Sequence, residues 1–306
     1  MEHPRLVDLI RLAVAQARAP EPPLGDRDGS IPVSHYTDPA RLERERAALF
    51  QRLPIPIVHA SEIAAPGACA VRDLAGVSLL IVRGADGVVR GFRNACRHRG
   101  TRLAREDCQG KAFVCPYHGW VYALDGALRH VPHPQAFPNL DLAAHSLSAV
   151  RVEERHGLVW VALDPSAPDV ATHLGALDED DVSDVTTAGL PLRELATFGY
   201  VLFPCTVFIA HPDWISHVVV QPLGTSRFLW QHTMLLPDRP STDAESAHFD
   251  RSFALIEENV FMREDLFAVA EMQAGIETGA ISHVTFGRLE WPALWLHDGI
   301  RELLGE

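Results

Sequence analysis

The pattern of hydrophobic and polar positions changes in the middle of the chain, from about Val58 to Leu163. Short apolar runs rich in β-branched residues are separated there by turns that contain glycine and aspartate. The clearest runs are VSLLIV, VVRGF, KAFVC, WVYAL and GLVWVAL. Because each run has the length and residue content of a strand, this region predicts an all-β module.

The regions on either side follow other patterns. The N-terminal part mixes Ala, Leu, Arg and Glu, as in RLERERAALF, and predicts helices broken by the loop EPPLGDRDGSIP. After a stretch rich in Asp, Ala, Pro and Gly, the runs FGYVLFPCTVFIAHP, ISHVVVQPL and RFLWQHTMLLP alternate like antiparallel strands. The next run, RSFALIEENVFMREDLFAVAEMQAGI, is apolar at helical spacing. A sheet with a long helix across it predicts an α+β domain.

These patterns together predict an α+β protein in four segments. The four segments are a helical segment over 1–50, a β domain over 51–165, a linker over 166–196 and a second domain over 197–306. The acidic run from Asp178 to Asp181 falls in the linker, and we expect it to be solvated.

Composition and charge narrow the class of protein. The 306 residues are 47% hydrophobic and carry a net charge of −13. No apolar run approaches the roughly 20 residues that a bilayer span needs, and phosphate binding needs a basic face. We therefore expect a cytoplasmic protein whose partners are neither membranes nor nucleic acids. Five widely spaced cysteines, an odd number, suit metal ligation better than a disulfide framework.

Two short motifs carry the candidate chemistry. The letters CRH begin at Cys96 and end at His98. Sixteen residues separate them from CPYH, which begins at Cys115 and ends at His118. Two such loops can place the two thiolates on one iron and the two imidazoles on the other iron of a [2Fe–2S] cluster. Zinc is the alternative, but its ligands usually come as a cysteine pair followed by a histidine pair. The mixed pairs favour the cluster.

The stretches NACRHRGTRL and CPYHGWVYALDG closely resemble the Rieske domain of ring-hydroxylating (Rieske non-haem iron) oxygenases, in their α or terminal-oxygenase subunit. The resemblance runs from about Leu49 to Pro165. It implies a cluster reduced by a ferredoxin or flavin reductase, oxygen-dependent hydroxylation or demethylation of a small organic substrate, and a homotrimer. Gly119 would let backbone approach the cluster and Trp120 would shield it. A turn glycine and a core aromatic are the alternatives.

The resemblance continues in ATFGYVLFPCTVFIAHPDWISHVVVQPL and FMREDLFAVAEMQAGIETGA, which look like the latter half of the catalytic domain, a helix-grip fold. It implies a mononuclear Fe(II) held by two histidines and one carboxylate, with Asp265 in the place of the carboxylate. The expected two-histidine motif is absent between Leu163 and Phe198, where His173 is the only histidine.

Other residues remain open candidates. His211 and His217, six apart on one predicted strand, would share a face and are alternative metal ligands. His130 and His133 flank a proline turn and are expected to be structural. Five arginines around the first motif either dock an acidic electron donor or balance local charge. They are Arg93, Arg97, Arg99, Arg102 and Arg105.

The remaining cysteines and several aromatic residues have simpler expectations. Cys108 is not required as a ligand, and Cys69 and Cys205 are expected to be small buried hydrophobes. The aromatic residues of the second domain suggest an apolar cavity, although strand aromatics are more often core. They are Phe203, Phe208, Trp214 and Trp230.

Three hypotheses follow. The first is an oxygenase α-subunit homologue. The second is an electron-transfer or ligand-binding protein with a working cluster beside a degenerate catalytic domain. The third is an internal deletion that compromises the fold. The missing histidine motif keeps all three open at the level of sequence.

Overall fold

The computed structural model describes residues 12, 15, 19–179, 186–187, 190–191 and 197–306. The strands are β1 (Gly29–Pro32), β2 (Ile55–His59), β3 (Ala68–Leu74), β4 (Val77–Arg83), β5 (Val89–Arg93), β6 (Cys108–Gln109), β7 (Ala112–Val114), β8 (Val121–Ala123), β9 (Leu128–His130), β10 (Ala149–Arg155), β11 (Leu158–Ala162), β12 (Thr186–Thr187), β13 (Leu190–Pro191), β14 (Phe198–Leu202), β15 (Thr206–Ala210), β16 (Ile215–Gly224), β17 (Arg227–Leu235) and β18 (His283–Phe286). The α-helices are α1 (Ser34–Thr37), α2 (Pro39–Glu45), α3 (Val170–Leu174), α4 (Asp243–Ala254), α5 (Leu266–Glu277) and α6 (Trp291–Leu304). The π-helical segments are Arg46–Phe50 and Leu255–Asp265, and short 3-10 turns cover Ala60–Ile63, Pro134–Ala136, Gly175–Glu179 and Arg288–Glu290.

The chain divides into two compact units. The β unit comprises Glu45–Asp178 with Gln221–Leu223, and the α+β unit comprises the described residues of Met1–Arg44, Glu179–Val220 and Gly224–Glu306. None of the helices among the described residues is long and apolar enough to cross a bilayer.

The β unit is built on an antiparallel seven-stranded sheet in the order β2-β11-β10-β5-β4-β3-β6. The interior strand β11 is buried along its whole length, as its continuous apolar sequence requires. A second antiparallel sheet, β7-β8-β9, carries the segment around the second motif. The five runs read as strands in this region are confirmed, and they lie in β4, β5, β7, β8 and β11.

The α+β unit contains the four-stranded sheet β14-β15-β16-β17 and the strand pair β1-β18. The long predicted helix is confirmed as α4, a π-helical segment and α5 in succession. It begins at a capping box in which the N–H of Glu245 donates to Thr242 Oγ1 at 3.2 Å and the N–H of Thr242 donates to Glu245 Oε2 at 3.3 Å. The predicted α+β class is therefore confirmed.

Three local expectations were wrong. The segment over 1–50 contains strand β1 as well as helices. His211 follows the end of β15 and His217 lies in β16, because the residues between them form a turn closed by the His211 N–H and the Trp214 carbonyl at 2.9 Å. Asp178 is not freely solvated, since Arg155 and His156 hold its carboxylate. The linker prediction falls partly outside the described residues, as do Asp180 and Asp181.

Candidate iron–sulfur site

The two cysteine–histidine loops share one backbone design. In the first loop the Cys96 N–H donates to the Thr101 carbonyl at 2.8 Å, and the Gly100 N–H donates to the Cys96 carbonyl at 2.9 Å. The second loop repeats both bonds at the same spacing from Cys115, at 2.8 and 3.0 Å. Each cysteine therefore sits at the base of a closed six-residue turn, although the sequence places one histidine two residues after its cysteine and the other three.

A glycine occupies the same position of each turn, and both glycines adopt the left-handed backbone conformation. The φ angles are +77° at Gly100 and +68° at Gly119. A Cβ at Gly119 would also lie 3.2 Å from Cγ of Pro132, whereas nothing lies within 4 Å of the Gly100 position. Gly119 is thus a turn glycine, and its close neighbour is the ring of Pro132.

The four candidate ligands are arranged by type. The thiols of Cys96 and Cys115 are buried, at 3% and 4% exposure, while the rings of His98 and His118 are half-buried with their centroids 4.8 Å apart. The Nδ1 atom of His118 is buried and has no hydrogen-bond partner among the described residues. A buried imidazole nitrogen without a partner is suited to a metal, so the donor set fits a [2Fe–2S] cluster.

The protonation of His98 also fits ligation. Burial lowers the pKa of His98, and the neighbouring His118 and Arg99 lower it further. The neutral ring is the form that binds a metal.

Aromatic rings surround the two histidines. Trp120 is buried and stacks on His98, with centroids 4.9 Å apart and planes 5° apart. Phe137 meets both of these rings edge-on. The ring of Tyr117 lies against that of His118, with centroids 3.7 Å apart and planes tilted by 32°, but Tyr117 is 59% exposed. Trp120 is therefore a core residue that also covers one face of the His98 ring.

Tyr122 is a residue of the candidate site that the sequence did not single out. Its hydroxyl lies 3.3 Å from Sγ of Cys96 and 2.9 Å from the backbone nitrogen of Arg97. The Arg97 N–H can only donate, so the tyrosine oxygen accepts that bond and its O–H is left to donate to the sulfur. The sequence could have indicated Tyr122 through its central position in the short strand β8, where it is the buried residue.

The predicted mononuclear iron site does not assemble among the described residues. Asp265 is exposed at the end of its π-helical segment. Within 19–179 and 197–306, no three His, Cys, Asp or Glu side chains are placed to hold one metal ion. His173 lies in α3 of the β unit, with its ring 6.3 Å from that of Trp160. Asp265 as an iron ligand stays a prediction.

The aromatic residues proposed for a cavity have separate neighbours. Phe208 stacks on His217 across β15 and β16, Trp214 stacks on His211, and Trp230 meets Phe261 edge-on. Phe203 lies against Gly299 of α6.

The α+β unit also contains a hydrogen-bond network around His232 that the sequence did not predict. Both ring nitrogens of His232 form hydrogen bonds. Nδ1 lies 2.8 Å from Glu257 Oε2, and Nε2 lies 3.1 Å from Ser216 Oγ. Its ring also stacks on Phe253. This network ties β16 and β17 to the long helix, and no sequence motif marks it because its members are 16 and 25 residues from His232.

Comparison with known families identifies the chain. The family model of the Rieske [2Fe-2S] domain matches residues 54–146, and that of the ring hydroxylating alpha subunit (catalytic domain) matches residues 130–306.

The chain belongs to the ring-hydroxylating oxygenase α-subunit family.

Relatives of this α-subunit homologue include enzymes with different substrates. It is 37% identical over 149 residues to the carnitine monooxygenase oxygenase subunit of Escherichia coli K12. That alignment covers 48% of this chain and 40% of the relative. It is 36% identical over 168 residues to the biphenyl 2,3-dioxygenase subunit alpha of Rhodococcus jostii RHA1, covering 54% and 36%. These alignments span well under half of either relative.

Solved structures show the same fold over most of the chain. The quaternary ammonium Rieske monooxygenase CntA in complex with L-carnitine has a TM-score of 0.76 at 20% identity, covering 90% of this chain and 95% of that one. Naphthalene 1,2-dioxygenase from Rhodococcus, bound to indole, has a TM-score of 0.72 at 18% identity, covering 84% and 85%. The Rieske match also confirms the predicted [2Fe–2S] cofactor over zinc.

Proposed function

We propose that this α-subunit homologue is the terminal component of a Rieske oxygenase, in which a cluster bound by Cys96, Cys115, His98 and His118 relays single electrons. One observation carries the proposal. The two matched turns hold buried thiols beside paired imidazoles, and Nδ1 of His118 is buried with no partner in the part of the chain that the structure describes. Cys96 and Cys115 are assigned to one iron and the two histidines to the other.

When bound, the cluster would supply one-electron transfer at a potential raised by its neutral imidazole ligands. The chain's own residues set its surroundings. The closed turns fix the four ligands before the cluster binds, and Trp120 and Phe137 exclude water from the His98 side. The hydroxyl of Tyr122 holds its proton toward Cys96. No step is assigned to a mononuclear iron, because the described residues do not form that site.

The electron donor is proposed to dock on the arginines of the first motif. Arg93, Arg99, Arg102 and Arg105 are exposed, and none of them forms an ion pair with another described residue. Among the described residues, the side chain of Arg97 bonds only to the hydroxyl of Ser148, at 3.3 Å. The absence of carboxylate partners among residues that the structure describes favours docking over local pairing. A basic patch on a chain of net charge −13 suits an acidic ferredoxin or flavin reductase.

The substrate and assembly are proposed at a coarser level. Relatives are named for carnitine and for biphenyl, so a small organic substrate is proposed without a choice between these classes. A homotrimer, as the family resemblance implies, also stays a proposal. Both family matches and the named relatives point to oxygenase subunits and do not favour the electron-transfer alternative.

Metal content and spectroscopy test the proposal. The cluster accounts for two irons and two sulfides per chain, and oxygenase activity would require a third iron and oxygen consumption when reductant and substrate are supplied. Two irons without substrate-linked oxygen consumption would contradict oxygenase activity and leave an electron-transfer protein.

The ligand assignment has a separate readout. His118→Ala should abolish the Rieske EPR signal of the reduced protein. His133→Ala changes an exposed histidine outside the two loops and should retain the signal. A Rieske signal that survives in His118→Ala contradicts the assignment.

A further inference from the structure

Two cysteines outside the cluster motif face each other across neighbouring strands. Cys69 of β3 is directly paired with Cys108 of β6 in antiparallel register, and both thiols are free. Residues directly opposite in antiparallel strands have Cα atoms about 4.5–5.5 Å apart. This lies inside the range of about 4.4–6.8 Å that disulfides span. The backbone therefore already has the spacing of a disulfide.

The two thiols differ in their access to solution. Cys69 is 2% exposed, whereas Cys108 is exposed. Burial raises the pKa of the Cys69 thiol, and the nearby Cys108 and Asp107 raise it further. Cys69 thus stays protonated, and Cys108 is the sulfur that an oxidant in solution reaches first.

The edge strand that carries Cys108 is anchored on both sides. Asp107 accepts hydrogen bonds from the Val71 N–H at 2.8 Å and from Arg72 Nη1 at 2.7 Å. Beyond the pair, the Gly110 N–H donates to the Gly67 carbonyl at 3.0 Å. These contacts hold β6 against β3, so the sulfurs can join without a large backbone movement.

We propose that Cys69 and Cys108 form a redox-sensitive dithiol that hydrogen peroxide converts into an intramolecular disulfide. The Cys108 thiolate attacks one peroxide oxygen and the O–O bond breaks. The departing hydroxide takes up the proton that the Cys108 thiol had released to solvent, so the products are a sulfenic acid and one water. The Cys69 sulfur then attacks the sulfenic sulfur, and the departing hydroxide takes the Cys69 proton as a second water. Two thiols are oxidised and one peroxide is reduced to two waters.

A disulfide between Cys69 and Cys108 would constrain the segment that contains the first cluster loop. The chain between Cys69 and Cys108 contains the first cluster loop, and buried Asn94 joins the ends of that loop. Its Oδ1 accepts from the Leu103 N–H at 2.9 Å, and its Nδ2 donates to the Ala104 carbonyl at 2.7 Å. Oxidation of the pair would covalently close the segment that supplies half of the cluster ligands.

The test uses the cluster-loaded protein with hydrogen peroxide as the oxidant. After treatment, free thiols are alkylated, the protein is digested without reductant, and peptides are analysed by mass spectrometry. We expect a cross-linked peptide pair containing Cys69 and Cys108, which dithiothreitol separates. Cys108→Ser and Cys69→Ala should each lose it. Cys205→Ala, which changes the other free cysteine outside the cluster motif, should form it as the wild type does.

Several outcomes would overturn the proposal. One is Cys108 recovered as sulfinic acid or in disulfides between chains while Cys69 remains alkylatable. Another is a cross-link that persists in Cys108→Ser. Because Cys108 is exposed, its serine variant should fold, and the visible absorbance of the cluster confirms this before peroxide is added.

Discussion

The hydroxyl of Tyr122 lies 3.3 Å from the sulfur of Cys96 and is oriented by the backbone N–H of Arg97 at 2.9 Å. A donor to a ligand sulfur stabilises the reduced cluster more than the oxidised one, because the reduced form carries the additional negative charge. Tyr122→Phe should therefore lower the reduction potential. A net hydrogen-bond contribution of about 1–2 kcal/mol corresponds to roughly 40–90 mV for a one-electron couple.

The potential of Tyr122→Phe is measured by redox titration followed by EPR. The matched control is Tyr117→Phe, which removes the hydroxyl of an exposed tyrosine but keeps the ring against His118. That control should leave the potential close to the wild-type value. An unchanged or higher potential in Tyr122→Phe contradicts the role given to this hydroxyl.

The glycines of the two turns give a second prediction. Alanine at Gly100, where φ is +77° and the space is open, should cost about 1 kcal/mol from backbone conformation alone. Alanine at Gly119 should cost more, roughly 2 kcal/mol, because its Cβ also meets Pro132 at 3.2 Å. The measurement is the guanidinium midpoint for loss of cluster absorbance. Gly110→Ala is the control, since its Cβ would make only ordinary contacts. Equal midpoints for all three variants would contradict this order.

The cluster loops and most strands could be predicted from the sequence because both signals are local. The two motifs place thiolate and imidazole ligands a few residues apart, and the continuous apolar runs of β4 and β11 are the signature of buried strands. Tyr122 was not identified because its partner Cys96 is 26 residues away. The strand predicted through His211 and His217 failed because Pro212 and Asp213 open a turn that the spacing of two histidines does not reveal.

Acid should weaken the α+β unit through His297. Burial lowers the pKa of His297 to about 4 from its ordinary 6.5, with additional lowering by His35 and Arg41 and an opposing effect of Asp298. Its Nε2 accepts the Tyr36 hydroxyl at 2.7 Å in the neutral form. The unfolded chain takes up the proton near pH 6.5 and the folded chain resists until about pH 4, so stability falls as the pH falls through this window.

The measurement is the urea midpoint followed by tryptophan fluorescence, since Trp291 and Trp295 lie on the same helix as His297. The midpoint should drop between pH 7 and pH 5 in the wild type. His297→Gln keeps an acceptor for Tyr36 and should flatten this dependence. His283→Gln, an exposed histidine of β18, should not change it. Parallel pH curves for the wild type and His297→Gln would show that other groups control the acid response.

The arginines beside the first motif should control how fast an acidic donor reduces the cluster. Arg102 and Arg105 are exposed and form no ion pair with another described residue, so their charges are available to a partner. Arg102→Glu combined with Arg105→Glu should slow reduction by an acidic ferredoxin roughly tenfold at low ionic strength, because like charges then meet at the encounter. The rate is followed by stopped-flow loss of the oxidised cluster's absorbance.

The dependence of the reduction rate on salt concentration distinguishes this electrostatic effect from the effect of a damaged cluster. The Debye length falls from about 30 Å at 0.01 M salt to about 3 Å at 1 M, so the variant and wild-type rates should converge as salt is added. Arg52→Glu is the charge-matched control, because Arg52 precedes β2 at the sheet edge opposite β6. A defect that persists at high salt, or that Arg52→Glu reproduces, would mean that net charge or cluster integrity sets the rate and that the arginines beside Cys96 do not bind the donor.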